Sequence, residues 1–221
     1  RDRVAFLRLC YGRFKRGMKL TQVRSAKQIS VNNPMFFVAS ERELAQEAYP
    51  GDIIGIPNHG TLRIGDALTE GEAVTFTGIP SFAPEILRRV RLDDPMRAKH
   101  LRRALEDLAE EGVSQLFKPL IGAQWIVGVV GELQLEVLAS RIEAEYSIKA
   151  GFEAAPYETA RWVQAEDPAR LKAFLEANRG ALAEDRDRAP VYLARNSWEL
   201  DYTQREWPDI RLAKTREQSE V

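Results

Sequence analysis

The sequence predicts a chain of class β + α/β, a small β-barrel followed by an α+β sandwich with a C-terminal α/β extension. Three observations lead there. Short apolar runs broken by Gly, Pro and Asn about every ten residues fill positions 1–80. After the Pro- and Gly-rich stretch 78–84 the spacing changes, and Ala98, Leu101, Leu105 and Leu108 recur at three and four. Two such amphipathic helices then alternate with apolar runs in the order strand–helix–strand–strand–helix–strand. The domains are therefore drawn at 1–80 and 81–221, the latter with a core over about 83–165 and an extension over 166–217.

In the first domain, Val4 to Leu9 reads as a strand and Tyr11 to Gly17 as a turn with two glycines. Met18 to Val23 is a strand with Met18, Leu20 and Gln22 on one side. Phe36 to Ala39 follows the Asn-Asn-Pro turn at 32–34, and Ile53 to Ile56 lies between the turns Tyr49–Asp52 and Pro57–Gly60. Many short strands favour closure into a barrel, which removes exposed edges.

In the second domain, Glu85 to Leu92 is a strand and Asp93-Asp94-Pro95 a helix start, closed after Leu108 by Gly112. Val113 to Lys118 and Trp125 to Val130 are strands. Glu132 to Tyr146 is a helix whose Leu135, Leu138, Ile142 and Tyr146 form one stripe, facing a sheet that holds Ile126, Val127 and Val129. Ile148 to Phe152 and Thr159 to Gln164 extend the sheet. This order is the split βαβ of a ferredoxin-like sandwich, with both helices on one face. In the extension, Asp167-Pro168 starts a helix closed by Gly180. Glu184 to Arg188 is a charged loop, Val191 to Ala194 and Ile210 to Ala213 are strands, and Gln218 to Val221 is frayed.

Several function classes lack residues to support them. Cys10 is the single cysteine, which excludes an internal disulfide, and Cys10, His59 and His100 cannot assemble four zinc ligands. No apolar run approaches the roughly 20 residues that span a bilayer. The sequence has no Gly-Lys-Ser or Gly-Lys-Thr for a phosphate loop and no Gly-x-Ser-x-Gly. Gly128-x-x-Gly131 precedes a helix, but Glu132 in the first turn would repel an anion, so these glycines read as packing residues. Glu110-Glu111 and Asp93-Asp94 are adjacent pairs at helix ends, where solvated charge outweighs acid–base work. No catalytic residue, cofactor ligand or metal ligand is expected.

What remains is surface. The first forty residues carry nine Lys/Arg against Asp2 alone, so residues 41–221 must hold −9 for the whole to reach −1. Such a split fits a phosphate-facing arm and equally fits strand edges protected by cations. Candidate contacts there are Arg13, Lys15, Arg16, Lys19, Arg24 and Lys27. On the first helix they are Arg97, Lys99, Arg102 and Arg103, away from the leucine stripe, with pairs Arg102–Glu106 and Arg103–Asp107 available at i,i+4. Because the helix has those acids and the first forty residues have one, the N-terminal set is expected to dominate. Arg88, Arg89 and Arg91 lie on the preceding strand. The aromatics Trp125, Trp162, Tyr192, Trp198 and Trp207 are expected in packing rather than base stacking.

Gly131-Glu132-Leu133-x-Leu135-x-x-Leu138, then Arg141-Ile142 and Glu145-Tyr146-x-Ile148, resembles the third domain of ribosome-bound translational GTPases. Ala48-Tyr49-Pro50-Gly51-Asp52-Ile53 and Arg63-Ile64-Gly65-Asp66-Ala67-Leu68 resemble their second-domain barrel. Phe76 to Glu85, Thr159-Ala160-Arg161-Trp162-Val163 and the end soon after Thr215-Arg216-Glu217 are similar to the class II peptide chain release factors. The resemblance implies a non-catalytic portion that docks on ribosomal RNA and protein and helps the codon-reading release factor leave at termination. GTP or GDP with Mg would then sit on a G domain absent from this chain, whose start at Arg1 suggests a fragment. The first barrel strand is expected upstream of Arg1, which bears on closure. The location implied is cytoplasmic, with no membrane partner. Elongation factor G and ribosomal protection proteins of the tetracycline-resistance type share the barrel and helix features, and a stand-alone RNA-binding module is the reading from a different class.

Overall fold

A computed structural model describes residues 3–38, 41–78, 80–122 and 124–217. Contacts divide the chain into two compact units, residues 1–78 and 79–220. The expected end of one strand at Ala39 and the expected fraying of Gln218 to Val221 lie outside the described residues.

The first unit holds β1 (Arg3–Arg8), β2 (Phe14–Lys15), β3 (Lys19–Gln22), β4 (Lys27–Ser30), β5 (Met35–Val38), β6 (Glu41–Leu44), β7 (Glu47–Ala48), β8 (Ile53–Asn58) and β9 (Leu68–Thr69). They form three small sheets, β1-β8-β5-β6, β2-β7 and β4-β3-β9. All three contribute to one barrel core, centred on Phe14, Val31, Ala48, Ile54, Ile56 and Leu62. The strands β2, β4, β6, β7 and β9 are not expected from the sequence. They are short or polar, so neither length nor alternation marks them. Met18, Leu20 and Gln22 do face inward while Lys19 is exposed. On the outer side of β8, Gly55 leaves room for Phe37, whose Cε2 would stand 2.4 Å from a Cβ at that position.

The second unit begins with β10 (Pro80–Phe82) and continues through β11 (Ile86–Leu92), α1 (Ala98–Glu110), β12 (Gln115–Pro119), β13 (Ile126–Val129), α2 (Glu132–Tyr146), β14 (Ala150–Ala154), β15 (Thr159–Gln164), α3 (Pro168–Ala177), β16 (Leu182–Glu184), β17 (Pro190–Ala194), α4 (Ser197–Glu206), β18 (Arg211–Ala213) and β19 (Thr215–Glu217). The stretch expected as a plain linker thus contains β10, antiparallel to β19. One sheet runs β14-β11-β13-β12-β16-β17-β15-β18. Its first four strands follow the split βαβ order.

Three cores explain the layering. Val127 and Val129 face α1 and α2, where Leu101, Leu105, Leu108, Leu138 and Ile142 are buried. Ile126 does not join them. Alternation along β13 turns it to the opposite face, where it packs with Leu87, Phe117, Trp162, Ala183, Val191 and Leu193. The far side of the ferredoxin-like half is therefore covered by the second half of the same sheet. The outer face of that half carries Val163, Leu182, Tyr192 and Ala194 against Phe174 of α3 and Leu200 of α4. The order is helices, sheet, sheet, helices.

Local signals act largely as expected. Asp94 accepts the Met96 N–H at 3.0 Å, and Pro95 to Arg97 form a 3-10 turn before α1. Gly112 ends that helix at φ 75°. Helix α3 stops at Asn178, whose N–H and side-chain amide both bond the Phe174 carbonyl at 3.0 Å, so Gly180 is not the closing residue. The strand expected at Ile148 to Phe152 starts at Ala150, because Ser147 adopts φ 54° and Ile148 drops into the helix-side core.

Candidate functional site

Two of the six candidate cations of the first unit are held by carboxylates from beyond residue 40. Arg13 bonds Glu47 and lies 5.7 Å from the centroid of the Tyr49 ring. Arg24 donates from Nε to Asp66 Oδ1 at 2.6 Å and from Nη2 to Asp66 Oδ2 at 2.9 Å, and reaches the Thr61 carbonyl at 3.2 Å. The turn Arg63-Ile64-Gly65-Asp66 presents this carboxylate: Gly65 sits at φ 89°, and Asp66 Oδ2 also accepts the Arg63 N–H at 2.8 Å. Buried Gln22 adds an amide donor at 2.5 Å. Burial alone would raise the Asp66 carboxyl, yet the bonds from Arg24, Arg63 and Gln22 outweigh it and hold it below its ordinary value. The Arg-x-Gly-Asp motif is thus a structural lock, and the acids that answer the basic N-terminal segment come from elsewhere in the barrel.

Arg16 donates to the Asn32 carbonyl at 2.8 Å. Lys15 lies opposite Glu47 across β2–β7 and, after Arg13 and Tyr49, helps hold that carboxyl below its ordinary value. The ammonium groups of Lys19 and Lys27 are exposed and make no ion pair among the described residues. They do not share one face. Lys19 opposes Ser30 and Lys27 opposes Gln22, which puts the two lysines at opposite ends and on opposite sides of the β3–β4 hairpin.

In the second unit the basic strand is neutralised. Arg88 pairs with Glu132, Arg89 with Glu153, and Arg91 with Asp93 and Glu153. Gly151 lies directly beneath the Arg91 guanidinium. Just before α1, Arg97 donates to the Ser147 carbonyl at the C-terminal end of α2, a favourable place for a cation. Arg102 pairs with Glu106 at 2.8 Å as expected and stands over the Trp125 ring at 5.6 Å. The Arg103–Asp107 pair does not form. Asp107 instead accepts the Tyr146 hydroxyl at 2.9 Å, which ties α1 to α2. Lys99 and Arg103, four residues apart on one exposed helix face, are left without an ion pair among the described residues.

The Gln134 side chain folds back over the helix start at Gly131. The Gln134 side chain accepts from the Val130 and Gly131 N–H groups at 2.7 and 3.2 Å. Gly128 is required by packing, since a Cβ there would lie 2.6 Å from Pro84 and 2.9 Å from Phe117. His59 and His100 are exposed. Among the described residues no cluster of three His, Cys, Asp or Glu is placed to hold a metal, and no helix is long and apolar enough to cross a membrane.

One polar cluster escapes sequence reasoning. In the segment read as a charged loop, Asp185 accepts the Trp162 indole N–H at 2.9 Å, Arg216 at 3.0 Å and the Asp187 and Ala189 N–H groups. It fastens β19 to the sheet, and only its run of alternating charge hinted at it. Of the aromatics, Trp162 and Tyr192 are buried as expected, whereas Trp198 is exposed.

Residues 76–204 match the family of class II release factor RF3, C-terminal domain, and residues 1–71 match elongation factor G domain 2. A crystal structure of a protein from Thermus thermophilus superposes with a TM-score of 0.58 at 24% identity, covering 73% of this chain and 25% of the other. The chain spans about a quarter of the length of that protein.

Proposed function

The chain belongs to the class II release factor family, and from that premise we propose that it is the ribosome-docking, non-catalytic part of a GTP-dependent termination factor. The observation that carries the reading is the adjacency of two translation-factor domains, a second-domain barrel over 1–71 and a release-factor domain over 76–204.

In this reading GTP and Mg bind a G domain elsewhere in a longer polypeptide, because this chain has no phosphate-loop residues to cradle them. The nucleotide selects between domain arrangements, and these two domains transmit the choice to ribosomal RNA and protein. The codon-reading release factor then leaves. The setting is the cytoplasm, where translation occurs.

The unpaired cations are the residues proposed to meet phosphate. Lys99 and Arg103 form the more concentrated pair, whereas Lys19 and Lys27 are dispersed, Lys15 lies opposite Glu47, and Arg13 and Arg24 are committed to Glu47 and Asp66. This reverses the ranking that the acid count of the first forty residues suggests. Calorimetry of the chain with GTP and with GDP tests the non-catalytic assignment. Flat traces are expected, and a micromolar isotherm would remove it.

A further inference from the structure

Helix α4 places its side chains against expectation. Buried Thr203 bonds the buried Tyr192 hydroxyl at 2.9 Å. Gln204 donates to the Ile210 carbonyl at 2.6 Å and accepts from the Leu212 N–H at 3.3 Å. Its two largest side chains go outward instead. Trp198 is 66% exposed and Tyr202 47%, and their rings stack with centroids 5.4 Å apart and planes at 16°. Folding alone would favour burying these rings, which carry far more apolar surface than a Thr or a Gln.

The helix that carries the pair is capped at its start. Asn196 caps the helix through the Glu199 N–H at 2.8 Å, and Arg195 grips Glu199 from Nε and Nη2 at 3.0 and 2.8 Å. That ion pair cancels itself. Asp201, three residues after Trp198, and Glu206, four after Tyr202, are exposed and make no ion pair among the described residues. Arg205 on the same turn donates to the Asp201 carbonyl, not to a carboxylate. By helical spacing Asp201 and Glu206 flank the aromatic pair, and with Arg205 beside them the patch keeps one net negative charge.

We propose that Trp198 and Tyr202, with Asp201 and Glu206, form a docking site for a cationic Arg or Lys side chain on a protein partner. A cation over an indole or phenol face is attracted by the ring quadrupole, and a nearby carboxylate adds a charge-assisted bond. The same carboxylates repel phosphate, so a nucleic-acid strand is disfavoured despite the stacked rings. The inference is independent of how the chain meets RNA.

The test uses the full chain and a short blocked Arg–Gly peptide, followed by the four Trp indole N–H resonances, with Trp198→Phe assigning one of them. The Trp198 resonance should shift saturably, and a citrulline–Gly peptide of the same length should leave it in place. Affinity read from the Trp198 resonance should fall about three- to thirty-fold in Tyr202→Ala and in the Asp201→Asn, Glu206→Gln double variant. Both sets of substitutions lie on the exposed face and leave Leu200, Thr203 and Gln204 intact, so the fold is kept. An unmoved Trp198 resonance, or unchanged peptide affinity in Tyr202→Ala, overturns the proposal. So does an oligouridylate that shifts this resonance where the peptide does not.

Discussion

Arg24 grips Asp66 through two parallel bonds, Nε to Oδ1 at 2.6 Å and Nη2 to Oδ2 at 2.9 Å, joining the turn after β3 to the turn before β9. Truncating Arg24 leaves a largely desolvated carboxylate short of donors, so Arg24→Ala should destabilise the barrel by about 1–3 kcal/mol. All four Trp lie in the second unit, so amide hydrogen exchange in the barrel is the measurement that reports it.

The same pair predicts a pH dependence. The Asp66 carboxyl is held below its ordinary value, so its contribution is complete above the unfolded value of about 3.9 and is lost as pH falls toward the lower folded value. Asp66→Asn should therefore be less stable than the parent at about pH 6, and the gap should narrow below about pH 4. A gap that widens on acidification contradicts the assignment.

Gly128 and Gly131 should respond differently to a single methyl. At Gly128 the new Cβ meets Pro84 and Phe117 at under 3 Å, while at Gly131 it meets nothing within 4 Å. Gly128→Ala should cost roughly 1–3 kcal/mol and Gly131→Ala, which changes only the N-cap, roughly 0.5–1 kcal/mol, in urea melts followed by Trp fluorescence. Equal costs would mean that packing does not explain the glycine at 128.

Two leucines on α2 make a matched comparison. Leu138 is 0% exposed in the helix-side core and Leu133 is 71% exposed. Leu138→Ala should cost about 2–5 kcal/mol and Leu133→Ala less than about 0.5. The same melts read both, and a stable Leu138→Ala would place the core on the wrong face of the helix.

What was legible in the sequence had a period or a cap. α2 spans Glu132–Tyr146 and β15 spans Thr159–Gln164, the ranges their apolar patterns mark. Helix α4 carries no amphipathic signal, because its outward Trp198 and Tyr202 and inward Thr203 and Gln204 defeat the pattern. The sequence groups Ile126 with Val127 and Val129 because a run of apolar residues hides which of them points where when both faces are buried. Charge was the least legible. Adjacency in sequence pairs Arg103 with Asp107, yet Tyr146 takes that acid, and Asp66 reaches back 42 residues to Arg24.

The most direct test of the central claim is ribosome binding by a complete factor carrying Lys99→Glu and Arg103→Glu, measured across a salt series in the GTP-bound state. The account predicts weaker binding and a salt slope reduced by about one per cation lost, with nucleotide affinity off the ribosome unchanged. An unchanged affinity and slope would contradict the assignment of α1 as a phosphate-facing docking surface.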